Sequence, residues 1–251
     1  NGSIAEGTIL YGGRDITAMK EREFEHLRGK DIAMIFQDPM TSLNPCMTIG
    51  KQISESMIKH QKLGRKEAYQ RTIELMRLVE IKDAEKRYKQ YPHQFSGGMR
   101  QRIVTAAALA CNPRILICDE PTTALDVTIQ AQIVNLLKRL QKEKNLTFLF
   151  IAHDLSMIKY ISDRVAVMEN GRIVELAKSC ELYSNPIHPY TKSLLSAIPL
   201  PDPRTERQRQ RVHYNAKDYR SEDEALIWRQ IAPEHWVLLT QRELDSLAAG
   251  K

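Results

Sequence analysis

The chain has 251 residues and a mass of 28.9 kDa, enough to bury a sizeable core in one large domain plus an appendage. Hydrophobic content of 42% and charged content of 27% are those of a soluble globular protein, and no run reaches the roughly 18–20 apolar residues that a membrane-crossing helix needs. A net charge of +6 would permit nucleic-acid binding, but Arg204, Arg207, Arg209 and Arg211 fall in one polar stretch and 6% aromatics offers few stacking platforms, so no nucleic-acid partner is expected.

Taken in order, Gly7 to Tyr11, a Gly12-Gly13 turn and Arg14 to Ile16 read as a hairpin. Glu21 to Arg28 reads as a short charged helix, followed by the strand Ile32 to Phe36. Gln37 closes that strand ahead of Asp38-Pro39-Met40-Thr41-Ser42-Leu43-Asn44-Pro45; taken alone it is a polar residue before a proline turn. Thr48 to Lys59 carries Ile49, Ile53 and Met57 at helical spacing, and Arg65 to Val79 carries Ile73, Met76 and Val79. Met57 and Met76 are expected to fill a helix interface, which methionine does more often than it ligates metal. His93 has no partner at metal-ligand spacing and reads as a loop histidine.

The stretch from Pro92 to Asp126 concentrates the chemistry. Ser96-Gly97-Gly98-Met99 opens a helix, where the missing Cβ atoms allow close approach and the free N–H groups favour an anion. Ile115 to Cys118 is a short apolar run that reads as a strand covered on both faces. Asp119 ends it as a hard oxygen donor suited to Mg²⁺, and Glu120, one residue on, points elsewhere and could polarise a water. An isolated Ser-Gly-Gly is more often a plain glycine turn; it is the ordered combination that carries weight. Beyond it come a helix from Val127 to Lys142, a strand Thr147 to Ile151 closed by Ala152-His153-Asp154, and a hairpin around Asn170-Gly171. Helices at Cys180–Ser184 and Tyr190–Ala197 follow, then a stiff linker marked by Pro199, Pro201 and Pro203. An acidic patch from Ser221 to Glu224, a strand Trp236 to Leu239 and a short helix complete the tail. Cys46, Cys111, Cys118 and Cys180 lack the close pairs of a zinc or iron–sulfur site; Cys111 and Cys118 are expected to be buried, reduced thiols.

These residues resemble the ATP-binding-cassette (ABC) ATPases. Ser-Gly-Gly-Met-Arg-Gln-Arg is similar to their signature loop, Ile-Leu-Ile-Cys-Asp-Glu to their Walker B strand, Ala124-Leu125-Asp126 to their D-loop, Gln37 to their Q-loop and His153 to their H-loop. Phe36-Gln37-Asp38-Pro39-Met40-Thr41-Ser42-Leu43-Asn44-Pro45 and Asn185-Pro186-Ile187-His188-Pro189-Tyr190-Thr191 are more specific and resemble the ATPase subunits of oligopeptide and dipeptide permeases. The resemblance implies an α/β, P-loop NTPase-like ABC ATPase domain over residues 1–198, with a helical signature subdomain at about 46–112 and a small C-terminal extension over 199–251. ATP and Mg²⁺ are the implied cofactors. Asp119 would enter the Mg²⁺ shell with Gln37, Glu120 would activate water, and Gln37 and His153 would hold water and γ-phosphate. Ser96, Gly97, Gly98 and Met99 would clasp the γ-phosphate bound by a partner, with Asp126 coupling the two sites.

The implied partners are a second ABC ATPase in a heterodimer, two transmembrane permease subunits and, indirectly, an extracytoplasmic peptide-binding protein, at the cytoplasmic face of the membrane. No G-x-x-x-x-G-K-[ST] occurs in these residues, and no adenine-stacking aromatic can be identified; the resemblance places that loop in a segment upstream of Asn1. The 251 residues by themselves are therefore expected to have negligible ATPase activity. Three readings stay open: an importer's energy-coupling ATPase, a truncated cassette that only completes its partner's site, and a soluble cassette protein acting on nucleic acid.

Overall fold

The computed structural model describes residues 4–123, 125–199, 211–215 and 225–249. Pro201, Pro203, Arg204, Arg207, Arg209, the Ser221–Glu224 patch and Ala124 lie outside the described residues. The chain divides into two compact units, Asn1–Ala152 and His153–Lys251.

The first unit opens with the short antiparallel pair β1 (Leu10–Tyr11) and β2 (Arg14–Asp15), then helix α1 (Glu21–Leu27). Its sheet consists of β3 (Ile32–Ile35), β4 (Ile115–Asp119) and β5 (Thr147–Ile151), all parallel and in that order. Between β3 and β4 run α2 (Pro39–Ser42), α3 (Ile49–Gln61), α4 (Arg65–Leu78), α5 (Ala84–Arg87) and α6 (Gly97–Leu109). Helix α7 (Val127–Lys144) joins β4 to β5. Asp38 starts α2 by accepting the Met40 N–H at 2.7 Å, with Pro39 as first helical residue. Lys62 and Asn145 stop α3 and α7 in left-handed backbone.

Helices α3, α4 and α6 pack on one another around Ile49, Ile53, Met57, Met76 and Ile103, each with no exposed surface. Both methionines are thus core, as their helical spacing requires. The sheet differs from the sequence expectation. Leu116 and Cys118 on one face of β4 are fully buried, but Ile115 and Ile117 on the other are half-buried, and Leu149 and Ile151 of β5 are exposed. A period of two assigns successive residues to opposite faces, so an unbroken apolar run hides a one-sided coverage that its composition does not reveal.

The second unit holds α8 (Leu155–Ile161), β6 (Arg164–Glu169), β7 (Arg172–Lys178), α9 (Ser179–Ser184), α10 (Pro189–Ser196), β8 (Leu226–Ala232), β9 (His235–Thr240) and α11 (Gln241–Ala249). Its sheet runs β6-β7-β9-β8 with every pairing antiparallel. The boundary expected near residue 198 falls inside this unit, because β9 pairs with β7 and so completes a sheet begun by the 164–178 hairpin. A buried acid anchors it. Glu175 accepts the Ile187 N–H at 2.8 Å and the His188 N–H at 3.1 Å, and His235 Nε2 lies 2.7 Å from its Oε1. Glu175, His188 and His235 are all inaccessible to solvent or nearly so. A carboxylate this deep is tolerated only when its oxygens are occupied, and here they tie the Pro-Ile-His-Pro-Tyr segment to the sheet.

Among the described residues no helix is long and apolar enough to cross a membrane. The cysteines divide by environment. Burial pushes the Cys118 thiol up to about 12 and raises that of Cys111, while Cys46 and Cys180 are exposed. Iodoacetamide at neutral pH should therefore modify Cys46 and Cys180 in the folded chain and leave Cys111 and Cys118 unlabelled until denaturant is added. Peptide mass mapping of the alkylated protein checks this.

Candidate functional site

Parallel pairing sets the site. The register matches Ile35 to Cys118 and Asp119 to Ile151, so the carboxyl ends of β3, β4 and β5 share one edge of the sheet, where open α/β sheets place ligands. Gln37 and Glu120, 83 residues apart in sequence, meet there: Gln37 Nε2 donates to Glu120 Oε2 at 2.9 Å. Thr123 Oγ1 donates to the same oxygen, also at 2.9 Å. Two donors on one carboxylate oxygen fix the orientation of the acid.

The backbone of Glu120 is strained to reach this position. Its φ is +44°, in the left-handed region that a Glu rarely enters, and its N–H is held by the Ile151 carbonyl at 2.9 Å. Strain of this kind costs on the order of 1–3 kcal/mol and persists where neighbours over-determine it. Here the neighbours are β5 on one side and Gln37 with Thr123 on the other. Asp119, the last residue of β4, sits on the half-buried face beside it.

The Ser96–Met99 segment and the start of α7 form a second cluster. Ser96 precedes α6 without capping it through its side chain, and its carbonyl accepts the Arg100 N–H at 2.9 Å. Ser96 and Gly97 are exposed, while Gly98 and Met99 are half-buried. A Cβ on Gly98 would come within 2.6 Å of Ile129 Cγ2, and one on Gly97 within 3.4 Å of Leu125 Cδ2. The second glycine is therefore required by close helix–helix approach, a role that its position in the sequence does not disclose. Asp126 caps α7, accepting the Ile129 N–H at 3.0 Å.

Gln37 and Glu120 thus come together, and so do Gly97, Gly98 and the Leu125–Ile129 turn. His153 is the exposed first residue of the second unit, directly before Asp154, which caps α8 through Ser156 N–H at 2.8 Å. His93 is exposed in a single 3₁₀ turn and stacks on Tyr91, with ring centroids 5.8 Å apart, as a loop residue does. Thr123, which shares Glu120 with Gln37, carries no sequence signal, because an offset of three residues from an acid is too common a pattern to read.

The donor set fits Mg²⁺ with phosphate. Asp119 and the amide oxygen of Gln37 are hard oxygens, and Mg²⁺ usually takes one or two protein oxygens, with water and phosphate filling its octahedron. Among the described residues no three His, Cys, Asp or Glu side chains converge as an all-protein metal cage.

An acid ending a parallel strand, a glutamine just past the neighbouring strand and a glycine-led helix packed on α3 and α4 are the arrangement that the resemblance to ABC ATPases implies. The ADP- and phosphate-bound dimeric cassette MJ0796 matches with a TM-score of 0.63 and 26% identity, over 71% of this chain and 75% of that one. A family model described as ABC transporter matches residues 2–123, and one described as the C-terminal region of oligopeptide/dipeptide transporters matches residues 174–222. The oligopeptide transport ATP-binding protein OppF of Bacillus subtilis is 50% identical over 246 residues, 97% of this chain and 80% of that protein. OppD of the same organism is 54% identical over 198 residues, and AmiE of Streptococcus pneumoniae is 57% identical over 200. The chain spans just over half the length of those two. It belongs to the ATP-binding proteins of oligopeptide and dipeptide ABC transporters.

The close approach at Gly98 yields a test. Gly98→Ala should destabilise the first unit by about 1–3 kcal/mol through overpacking against Ile129. Adding Ile129→Ala should recover part of that loss, so the two effects are non-additive. Urea unfolding of the single and double variants measures the coupling.

Proposed function

We propose that this chain is the energy-coupling ATPase subunit of an importer for oligopeptides or dipeptides, and that its signature segment completes the nucleotide site of a second ATPase subunit. The observation that supports the reading most is the Gln37–Glu120 hydrogen bond, which sets a polar side chain on the acid that follows Asp119. The Pro-Ile-His-Pro-Tyr segment, and the names of the relatives, support peptide transport as the work coupled to it.

Phosphoryl transfer to water is chiefly positioning and charge stabilisation, which Mg²⁺ and phosphate-facing amides supply. In this reading Asp119 and the Gln37 amide oxygen face the cation. Glu120 orients the attacking water and takes its proton, with Gln37 and Thr123 keeping the carboxylate from rotating. His153 contacts the γ-phosphate. The backbone N–H groups of Ser96, Gly97, Gly98 and Met99 grip the γ-phosphate of ATP bound by the partner, and Asp126 links the two sites.

Further partners are two transmembrane permease subunits and, through them, a peptide-binding protein on the far side, with the chain docked at the cytoplasmic face. Alignment with OppF takes in 97% of the chain, whereas OppD and AmiE take in 79%, which favours the OppF-type member of the pair. A second reading applies to the 251 residues by themselves. They hold the signature segment but contain no G-x-x-x-x-G-K-[ST], so alone they would complete a partner's site without hydrolysing at their own.

In the transporter assembled from the full-length subunits, Glu120→Gln should lower ATP turnover by about 10²–10⁴-fold, the range for loss of a general base. The 251-residue polypeptide alone should show no turnover above background. Phosphate-release assays on both test the proposal. Unchanged turnover in the Glu120→Gln complex would sink it.

A further inference from the structure

The signature helix and α7 touch where Gly98 admits Ile129, close to the N-terminal end of each. One contact point lets two helices pivot. A second fastening exists, built on a residue that belongs to neither helix. Glu80 lies two residues past the end of α4, after its C-cap Val79, in left-handed backbone at φ +61°. Its Oε2 accepts Arg102 Nη1 from α6 at 2.6 Å, and its Oε1 pairs with Arg139 Nη1 from α7 at 3.0 Å. Each arginine also caps the end of α4: Arg102 Nη1 donates to the Val79 carbonyl at 3.0 Å and Arg139 Nη2 to the Leu78 carbonyl at 2.9 Å. Cations on the last carbonyls of a helix are held there by its dipole as well.

The spacing makes this a lock. Arg102 lies one turn beyond Gly98, about 6 Å along α6, and Arg139 ten residues beyond Ile129, about 15 Å along α7. Arg102 Nη2 also reaches Gln132 Oε1 on α7 at 3.5 Å. Two helices fastened at separated points cannot rotate past each other. The Arg102 side chain is only 12% exposed, but Glu80 and Arg139 are 48% and 42% exposed. Half-exposed ion pairs of this kind add little to stability. The hydrogen bond from Arg102 holds the Glu80 carboxyl below the usual carboxylate range, with Arg102 and Arg139 charge adding to it, so the brace is charged at neutral pH.

We propose that Glu80 is a positioning residue that makes α6 and α7 one rigid pair, so that Gly97, Gly98 and Asp126 reach the partner subunit as a single surface. The proposal rests on the reading of the signature segment given above and adds the device that holds that segment in register with Asp126.

The test uses Arg139→Gln, Arg139→Lys and Glu80→Gln in the assembled full-length transporter, with Glu120→Gln as the control for hydrolysis itself. Hydrogen exchange is read at the first-turn amides of Arg100, Ile129 and Gln130, which bond Ser96 and Asp126. Arg139→Gln and Glu80→Gln should raise exchange at both helix starts together. They should lower kcat about threefold to tenfold, with KM for ATP and Tm close to wild type. Arg139→Lys, which keeps the charge facing Glu80, should stay near wild type. A role confined to capping α4 would instead lower Tm and leave kcat alone, overturning the proposal. So would exchange that is unchanged, or that rises at one helix only. If Glu120→Gln leaves turnover intact, the ATPase reading fails, while the exchange measurement still decides whether the brace exists.

Discussion

The in-register parallel pairing of β3, β4 and β5 is the constraint from which the site follows. It aligns three strand ends so that residues far apart in the chain, Gln37 and Glu120, come to hydrogen-bond distance without either lying in a buried pocket. The left-handed backbone at Glu120 is a consequence: the chain must leave β4 sharply to aim the acid along the edge, and the Ile151 carbonyl holds the turn. A one-residue slip of β4 would exchange the faces of Asp119 and Glu120 and dissolve the arrangement.

Around this edge the molecule uses polar side chains as fasteners between elements. Glu120 ties β4 to Gln37, Glu80 ties α4 to α6 and α7, and Glu175 ties β7 to the 187–188 backbone and to His235. The three differ in depth and hence in what they do. Glu175 has no exposed surface, so its bonds are obligatory to the second unit's fold. Glu80 is half-exposed, so its bonds set geometry at small cost in stability. Glu120 carries backbone strain, held in place by the bonds from Gln37 and Thr123 and by the Ile151 carbonyl.

Much of this was legible beforehand. The spacing of Ile49, Ile53 and Met57, and of Ile73 and Met76, gave α3 and α4 to within a few residues, because one apolar face at 3.6-residue period has few alternatives. Asp119 and Glu120 stood out because acids at the end of an apolar strand have a chemical reason to be there. Strand β8 was not legible: Leu226, Ile227 and Trp228 run together without alternation before Arg229 and Gln230, and only pairing with β9 makes them a strand. Glu80 carries no local sequence signal, since its partners Arg102 and Arg139 are 22 and 59 positions away.

The amino-acid order by itself determined α1, α3, α4, α6 and α7, the strands of the parallel sheet, the glycines at the head of α6 and the identity of the acids, since each is written in local period or adjacency. Tertiary structure alone decided which of those groups touch: Gln37 with Glu120, Gly98 with Ile129, Glu80 with two arginines, and β9 beside β7 instead of in a separate tail. Periodicity reports which face of an element is apolar, whereas contact depends on register and crossing geometry, which are fixed only when the elements pack.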